Sequence, residues 1–275
     1  LALSLAYTRL NLIKAKVLEY AGRVGEAYDI AVALARATPN DIRAVVAAAQ
    51  LAQANADDHA ALALAERAIA LDPAEPVATL QLASACLALG QTKRADELTQ
   101  GIRLRYPGDQ HAISLQATTW RLRGDRRYRA LYDYPAFVKS DWIDTPNGWA
   151  TLSSYIAELS SALNAVHTFH THPFHQSIRG GAQTSDILQH DHPAIAALPS
   201  ALEGPIRRYI TDLGQGVDPL RARNQGSYKF QGIWSIRMKA GGFHIDHVHP
   251  QGWLSSALYI DVPEALPGKQ GWLKF

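Results

Sequence analysis

Small residues and prolines recur every 34 positions through the first half of this chain. Pro39, Pro73 and Pro107 keep that interval. So do Ala27, Ala61 and Ala95; Ala15, Ala49 and Ala83; and Gly22, Ala56, Gly90 and Gly124. A fixed period of this size means one supersecondary unit used several times. The residue types say which unit. Small side chains are needed where two helices cross closely. Proline cannot continue a helical hydrogen-bond ladder, so it suits the turn after a second helix. Each unit therefore reads as helix–turn–helix, for example residues 76–89 followed by 93–104. One such pair cannot bury its apolar face alone, whereas a stack of pairs can.

The period and the Gly/Ala–Ala–Pro pattern resemble the tetratricopeptide repeat. About three repeats are present, with a partial one ending near Gly124. Alanine replaces most of the large aromatics usual in such repeats. The resemblance implies a curved α-solenoid over residues 1–127 with a concave face. That face implies a protein or peptide partner; bracing of a second domain, or dimerisation, is the alternative. "RLRGDRRYR" closes the region with Arg121, Arg123, Arg126, Arg127 and Arg129. It reads as a solvated helix end or interdomain contact, with an anion patch as the other reading.

Composition changes near residues 125–135. Beyond them Trp, Tyr, Pro, His and Gly become common, and nine of the eleven histidines lie between His167 and His249. Residues 128–275 thus read as a second domain, and the chain as α+β multidomain. Leu152, Ile156, Leu159 and Leu163 follow helical spacing. A second helix is predicted from near Pro193 towards Leu213, with a break or restart at Pro205. Between these helices "HTFHTHPFHQSIRGGAQTS", residues 167–185, reads as loop or short strand. Then "GIWSIRMK" alternates as a strand, Gly241-Gly242 makes a turn, and "FHIDHVH", "WLSSALYIDV" and "GWLKF" follow as further strands.

"GGFHIDHVHPQGWLSS" crowds His244, Asp246, His247 and His249 together. On a strand, His244 and Asp246 point one way and His247 and His249 the other, unless the strand bends. Ligands two apart on one strand, plus a third from a later strand, make the face-capping triad of mononuclear iron oxygenases. Such a triad leaves coordination positions open for a chelating cosubstrate and dioxygen.

The segment "FQGIWSIRMKAGGFHIDHVHPQGWLSSALYIDVPE" resembles the 2-oxoglutarate–iron(II) oxygenases fused to tetratricopeptide repeats in bacteria. "HPFHQSIRGGAQTSDIL" resembles the preceding segment of the same family, so the likeness spans residues 130–275 or thereabouts. It implies a double-stranded β-helix (jelly-roll) domain with flanking helices. It implies iron(II) and 2-oxoglutarate as cofactors, dioxygen as cosubstrate, and hydroxylation of a protein side chain or a small molecule. The family motif H-x-H-P falls on His247, His249 and Pro250, with Tyr259 ending the next strand. His247 and His249 are therefore the metal pair by motif. His244 and Asp246 are the alternative register, because they alone give a His-x-Asp unit. A nitrogen-rich pair also suits zinc.

By position in the family, Tyr259 donates its hydroxyl to the cosubstrate's far carboxylate, or else is a core tyrosine. Arg237 binds a carboxylate bidentately or faces solvent. Trp253 and Trp234 wall the pocket or pack the core, and Gln176, Arg179 and Gln183 line its entrance. His167, His170, His172 and His175 form a second, less regular candidate metal cluster.

About eight strands make such a fold, yet only about four are legible between Gly226 and Phe275. No His follows His249 and no Arg follows Tyr259. The barrel is therefore expected to be C-terminally truncated, with the third ligand and the cosubstrate's Arg beyond Phe275. Upstream histidines or a second chain are the fallback sources of that ligand.

Other classes recede. A formal net charge of +2 gives no strong pull towards nucleic acid or membrane. The single cysteine, Cys86, excludes an internal disulfide framework and reads as a small buried residue. With no long apolar run and no secretory n-region, the location reads as cytoplasmic. No glycine-rich phosphate loop follows a strand, and "RGGAQTS" lacks the lysine of such a loop. Two readings remain beside the oxygenase: a non-catalytic repeat scaffold with a degenerate barrel, and a zinc- or manganese-dependent barrel without oxoglutarate.

Overall fold

The computed structural model describes residues 2–168, 176–262 and 268. It divides into two compact units. One comprises Leu1–Val138 and Gly216–Ala222; the other comprises Lys139–Gln215 and Arg223–Phe275.

The first unit is a tetratricopeptide-like stack of antiparallel helices. These are α1 (Ala2–Tyr20), α2 (Val24–Ala37), α3 (Ile42–Ala54), α4 (Asp58–Leu71), α5 (Pro76–Ala88), α6 (Thr92–Arg105) and α7 (Gln110–Leu122). Two short turns of helix follow, α8 (Tyr128–Leu131) and α9 (Tyr134–Phe137). The 34-residue landmarks have distinct tasks. Ala27, Ala61 and Ala95 are fully buried where helices cross, and the series Ala15, Ala49, Ala83 continues, buried, to Ala117. Gly22, Ala56, Gly90 and Gly124 all take positive φ just beyond the first helix of each pair. There the same two bonds recur: Arg23 N–H to Leu18 O, Asp57 to Ala52, Gln91 to Cys86 and Asp125 to Trp120, each beside a tighter inner bond. This doubly bonded stop satisfies carbonyls that a helix end leaves without partners. At the other turn, Asp41, Glu75 and Asp109 sit at the same period and cap α3, α5 and α7 by accepting backbone N–H bonds.

Two arginines of the run, Arg123 and Arg127, brace this stack. Arg123 pairs with Asp96 at 2.8 Å, and Arg127 pairs with Asp125 at 2.6 Å while its guanidinium lies 4.6 Å from the Trp120 ring centroid. The Arg127 guanidinium holds the Asp125 carboxyl down to about 2. Cys86 is buried, and that burial pushes its thiol pKa up.

The second unit packs helices beside a small sheet. Its elements are α10 (Leu152–Val166), β1 (Ile178–Asp186), α11 (Pro193–Ala196), α12 (Leu198–Leu213) and β2 (Trp234–His244). Thr151 and Ser154 close a reciprocal capping box at the start of α10. Tyr155, Leu159, Ile187, Ile195 and Leu198 form the core, which Ile233 and Ile260 join from the edge. The buried Tyr155 hydroxyl donates to Ala194 O at 3.0 Å.

Three sequence expectations change here. Pro205 does not break its helix; α12 runs through it, and the interruption falls at Ala197. Proline at 205 leaves the Ala201 carbonyl without its helical donor. Asp144 N–H fills that vacancy at 2.9 Å. The Asp144 segment comes this close because residue 204 is glycine: a Cβ there would overlap the Asp144 carboxylate.

Second, Gly241-Gly242 is not a turn between two strands. β2 continues through both glycines, paired antiparallel with β1. Third, "WLSSALYIDV" contains no regular strand, and "GWLKF" lies outside the described residues. The sheet among the described residues is thus β1–β2 alone. An eight-stranded jelly-roll is not what these residues form, since barrel closure requires every strand edge to be paired. No described helix is long and apolar enough to cross a membrane.

Candidate functional site

The histidine row is positioned by a glycine-built bulge. Ile178 pairs with His244 and Arg179 with Phe243, but Gly181 pairs with Met238. Residues 239–242 of β2 therefore pass Gly180 alone. Gly180 and Gly241 have positive φ. A Cβ on Gly181 would lie 2.8 Å from Arg237 O, and one on Gly242 would overlap Gly180 O. Only glycine lets the two backbones meet this closely. The bulge restores register at the end of the strand, so Ile245 N–H reaches Ser177 O at 2.9 Å.

β2 stops at His244, and the chain bends at Asp246. The alternation of a strand therefore does not carry on to His247 and His249. The three imidazoles form a row instead. The His244 and His247 ring centroids are 5.9 Å apart, and those of His247 and His249 are 5.0 Å apart. Ser177 Oγ lies 2.8 Å from His244 Nδ1 and 3.5 Å from His247 Nε2. His247 Nδ1 lies 2.8 Å from Ile245 O. A carbonyl only accepts, so Nδ1 carries the proton and Nε2 presents its lone pair in the neutral ring. Burial, and then the neighbouring His247, push the pKa values of His244 and His249 down. Both effects favour neutral, ligand-competent imidazoles.

Ser177 was not legible as a site residue. Its only signal was its place just before "IRGGAQ", a segment whose glycines answer those of "MKAGGFH" once the two strands pair. A second Ser–His contact joins Ser235 Oγ to His167 Nε2 at 2.9 Å. Burial lowers the His167 pKa, and the charge of Arg237 lowers it further.

The other sequence candidates are dispersed. Arg237 is exposed on β2 opposite Ala182. Trp234 and Tyr259 are largely exposed, and Trp253 is half-buried. Tyr259 is exposed, whereas its neighbour Ile260 packs against the core. Gln176 is half-buried, and its carbonyl accepts from Arg179 Nη1, which also donates to Ile178 O, each at 2.9 Å. Gln183 is buried opposite Ile236. Asp246 is exposed. His170, His172 and His175 lie outside the described residues.

The fit to a metal is incomplete. Among the described residues no group of three or more His, Cys, Asp and Glu side chains is arranged to hold an ion. A face-capping triad needs three ligands, and the row as placed supplies neighbouring imidazoles without a convergent third.

Comparison with known proteins matches each region separately. Residues 232–272 match the family described as "Putative 2OG-Fe(II) oxygenase". This stretch covers β2 and the whole histidine row. Residues 52–118 match the tetratricopeptide repeat. No curated protein matches the chain. Among solved structures, the first tetratricopeptide domain of Spaghetti (RPAP3) bound to an HSP90 peptide is 16% identical with a TM-score of 0.40. That likeness covers 42% of this chain and 93% of the other. The structure titled MamA protein is 17% identical, TM-score 0.41, over 50% and 79% of the two chains. A Thermobaculum terrenum O-GlcNAc transferase mutant is 13% identical, TM-score 0.44, over 75% of this chain and 44% of that one.

Proposed function

We propose that this chain is an iron(II)- and 2-oxoglutarate-dependent oxygenase whose repeats hold a protein or peptide partner. The observation that carries the reading is the family match over residues 232–272, where three imidazoles stand in a row stabilised by Ser177. The work divides between residues 1–127, which bind the partner, and 128–275, which carry the chemistry. The substrate is a side chain of the bound protein, or a small molecule.

His247 and His249 are the proposed metal pair, with His244 and Asp246 as the alternative. The Nδ1–H bond from His247 to Ile245 O favours the first pair, because it fixes the tautomer that leaves the lone pair on Nε2. Arg237 and Tyr259 are the proposed carboxylate partners of oxoglutarate. Trp234, Trp253, Gln176 and Arg179 are proposed to bound the pocket. The absence of a convergent three-ligand group among the described residues favours a second reading, a non-catalytic repeat scaffold.

One experiment separates the two. Iron binding under anaerobic conditions is followed by titration calorimetry, and succinate release from 2-oxoglutarate is followed alongside. The oxygenase reading expects bound iron, lost at least tenfold in His247→Ala and His249→Ala, with succinate formed only when iron is present. Iron loss in His244→Ala and Asp246→Ala instead moves the site to the other pair. Neither iron nor succinate leaves the scaffold.

A further inference from the structure

The seams between successive repeats differ in chemistry. Each joins the second helix of one repeat to the first helix of the next: α2 to α3, α4 to α5, and α6 to α7. Four positions of the 34-residue register show the difference. In the first seam they are Ala31, Ala35, Ala48 and Leu51, which share one apolar cluster. In the second they are Ala65, Ile69, Leu82 and Ala85, again within apolar clusters. In the third they are Thr99, Arg103, Gln116 and Thr119. Thr99, Gln116 and Thr119 are buried. The two threonine hydroxyls turn back on their own helices and donate to Ala95 O and Leu115 O. The half-buried Arg103 donates from Nη1 to Gln116 Oε1. Its Nε is the one buried side-chain nitrogen or oxygen without a hydrogen-bond partner among the described residues, and burial pushes its pKa down. A cation that meets a neutral amide instead of a carboxylate recovers little of its lost hydration.

The two ends of α7 are held differently. Near its start, Ala112 packs with Ile102 of α6 in an apolar cluster. At its far end the large apolar side chain is Trp120, and what it meets is charged. Asp96 of α6 accepts from Trp120 Nε1 at 3.0 Å and from Arg123 Nη1 at 2.8 Å, and the Arg127 guanidinium lies over the Trp120 ring. In the earlier seams Tyr28 and Leu62 stand where Asp96 stands, and Asn55 and Leu89 where Arg123 stands. We propose that the second half of α7, residues 116–122, is a flap held shut by charge, which opens while α1–α6 stay folded. Seven residues freed from packing do not sustain a helix in water, so opening releases their backbone N–H groups. Salt favours the open form, because it screens the Asp96 clasp without weakening apolar contacts elsewhere. The flap is independent of the oxygenase reading.

Hydrogen exchange of the full chain tests this by comparing residues 116–123 with 82–89, the same register positions one repeat earlier. Corrected for intrinsic rates, the α7 stretch should exchange at least tenfold faster. Sodium chloride at 1 M, where charges are screened within about 3 Å, should speed the α7 stretch at least threefold and leave the α5 stretch unchanged. Arg103→Ile with Gln116→Leu copies the second seam and should slow the α7 stretch at least tenfold. Asp96→Asn weakens the clasp without touching Arg103 and should speed it at least threefold, so the test stands even where the double variant fails to fold. Equal rates in the two stretches, slowing or indifference in salt, or an unchanged rate in the folded double variant overturns the proposal. So does Asp96→Asn accelerating exchange across α1–α6 as much as in α7, because the seam then opens only with the whole stack.

Discussion

Close backbone approach is achieved in two ways in this molecule. In the solenoid, helices meet across alanines such as Ala27, Ala61 and Ala95, and each contact has equivalents one repeat away. In the second unit, β1 and β2 meet glycine against glycine at Gly180 and Gly242, with Gly181 against the Arg237–Met238 backbone, and nothing among the described residues repeats that contact. The solenoid distributes its geometry over many local, similar seams. The sheet concentrates it in one long-range seam, on which the placement of Ser177 and the histidines depends. Equal insults should therefore have unequal effects.

The sharpest contrast is a single methyl group. Gly242→Ala sets a Cβ against Gly180 O, with Lys239 O at 3.0 Å and Arg179 O at 3.2 Å. All three are backbone atoms, and none moves without breaking the pairing. The expected loss is about 3 kcal/mol or more, the range of overpacking combined with backbone strain. Gly22→Ala meets nothing within 4 Å; only its positive φ is strained, at about 1 kcal/mol. Hydrogen exchange should show protection lost across 178–186 and 234–244 in Gly242→Ala, with the solenoid untouched. Comparable losses for the two variants would break the contrast.

The same contrast explains what the sequence disclosed. Ala15, Gly22, Ala27 and Pro39 each do a local task, so their recurrence announced helix, turn and crossing without any knowledge of the rest. The sheet gave no such notice. "IRGGAQ" and "MKAGGFH" lie more than fifty residues apart, and the meaning of Gly242 depends on Gly180 opposite. Read alone, Gly241-Gly242 looks like a turn. Pro205 misled for a related reason: the donor that rescues its helix is Asp144, far away along the chain. The histidines were conspicuous by composition. Their row was not, because it depends on β2 ending at His244 and on Ser177 arriving from another strand.

A second test concerns the largest buried ionisable group of the second unit. Tyr155 is fully buried in the core of the second unit, and burial pushes its phenol up to about 12. An unfolded tyrosine ionises near 10. The folded-state pKa is raised, so the stabilisation is fully present below pH 10 and is lost as pH rises towards 12. By linkage the loss approaches about 3 kcal/mol. Chemical denaturation of the second unit between pH 9 and 12 should show this slope, and Tyr155→Phe should remove it. A slope that survives Tyr155→Phe would assign alkaline sensitivity elsewhere. The solenoid carries the same kind of linkage at buried Cys86 and half-buried Tyr28, whose pKa values burial also raises, so its helices should weaken in alkali as well, independently of Tyr155.

The smallest effect tests whether the repeats are as independent as their seams imply. Ala56 is the only non-glycine residue with positive φ among those described, at 59°. Its counterparts Gly22, Gly90 and Gly124 fill the same turn without strain. A left-handed alanine costs roughly 1–2 kcal/mol, and glycine's extra freedom in the unfolded chain returns about 0.5–1 kcal/mol of that. Ala56→Gly should therefore stabilise the solenoid by about 0.5 kcal/mol. The side chain is exposed, so no packing is lost to confuse the result. Ala54→Gly, two residues earlier at the last residue of α3, supplies the opposite sign: there glycine should cost a fraction of the roughly 1 kcal/mol it costs in a helix interior. Urea unfolding of both variants decides the matter. A gain at 56 beside a loss at 54 identifies backbone conformation as the cause. Loss at both positions would mean that the second repeat depends on its neighbours in a way its own turn does not reveal.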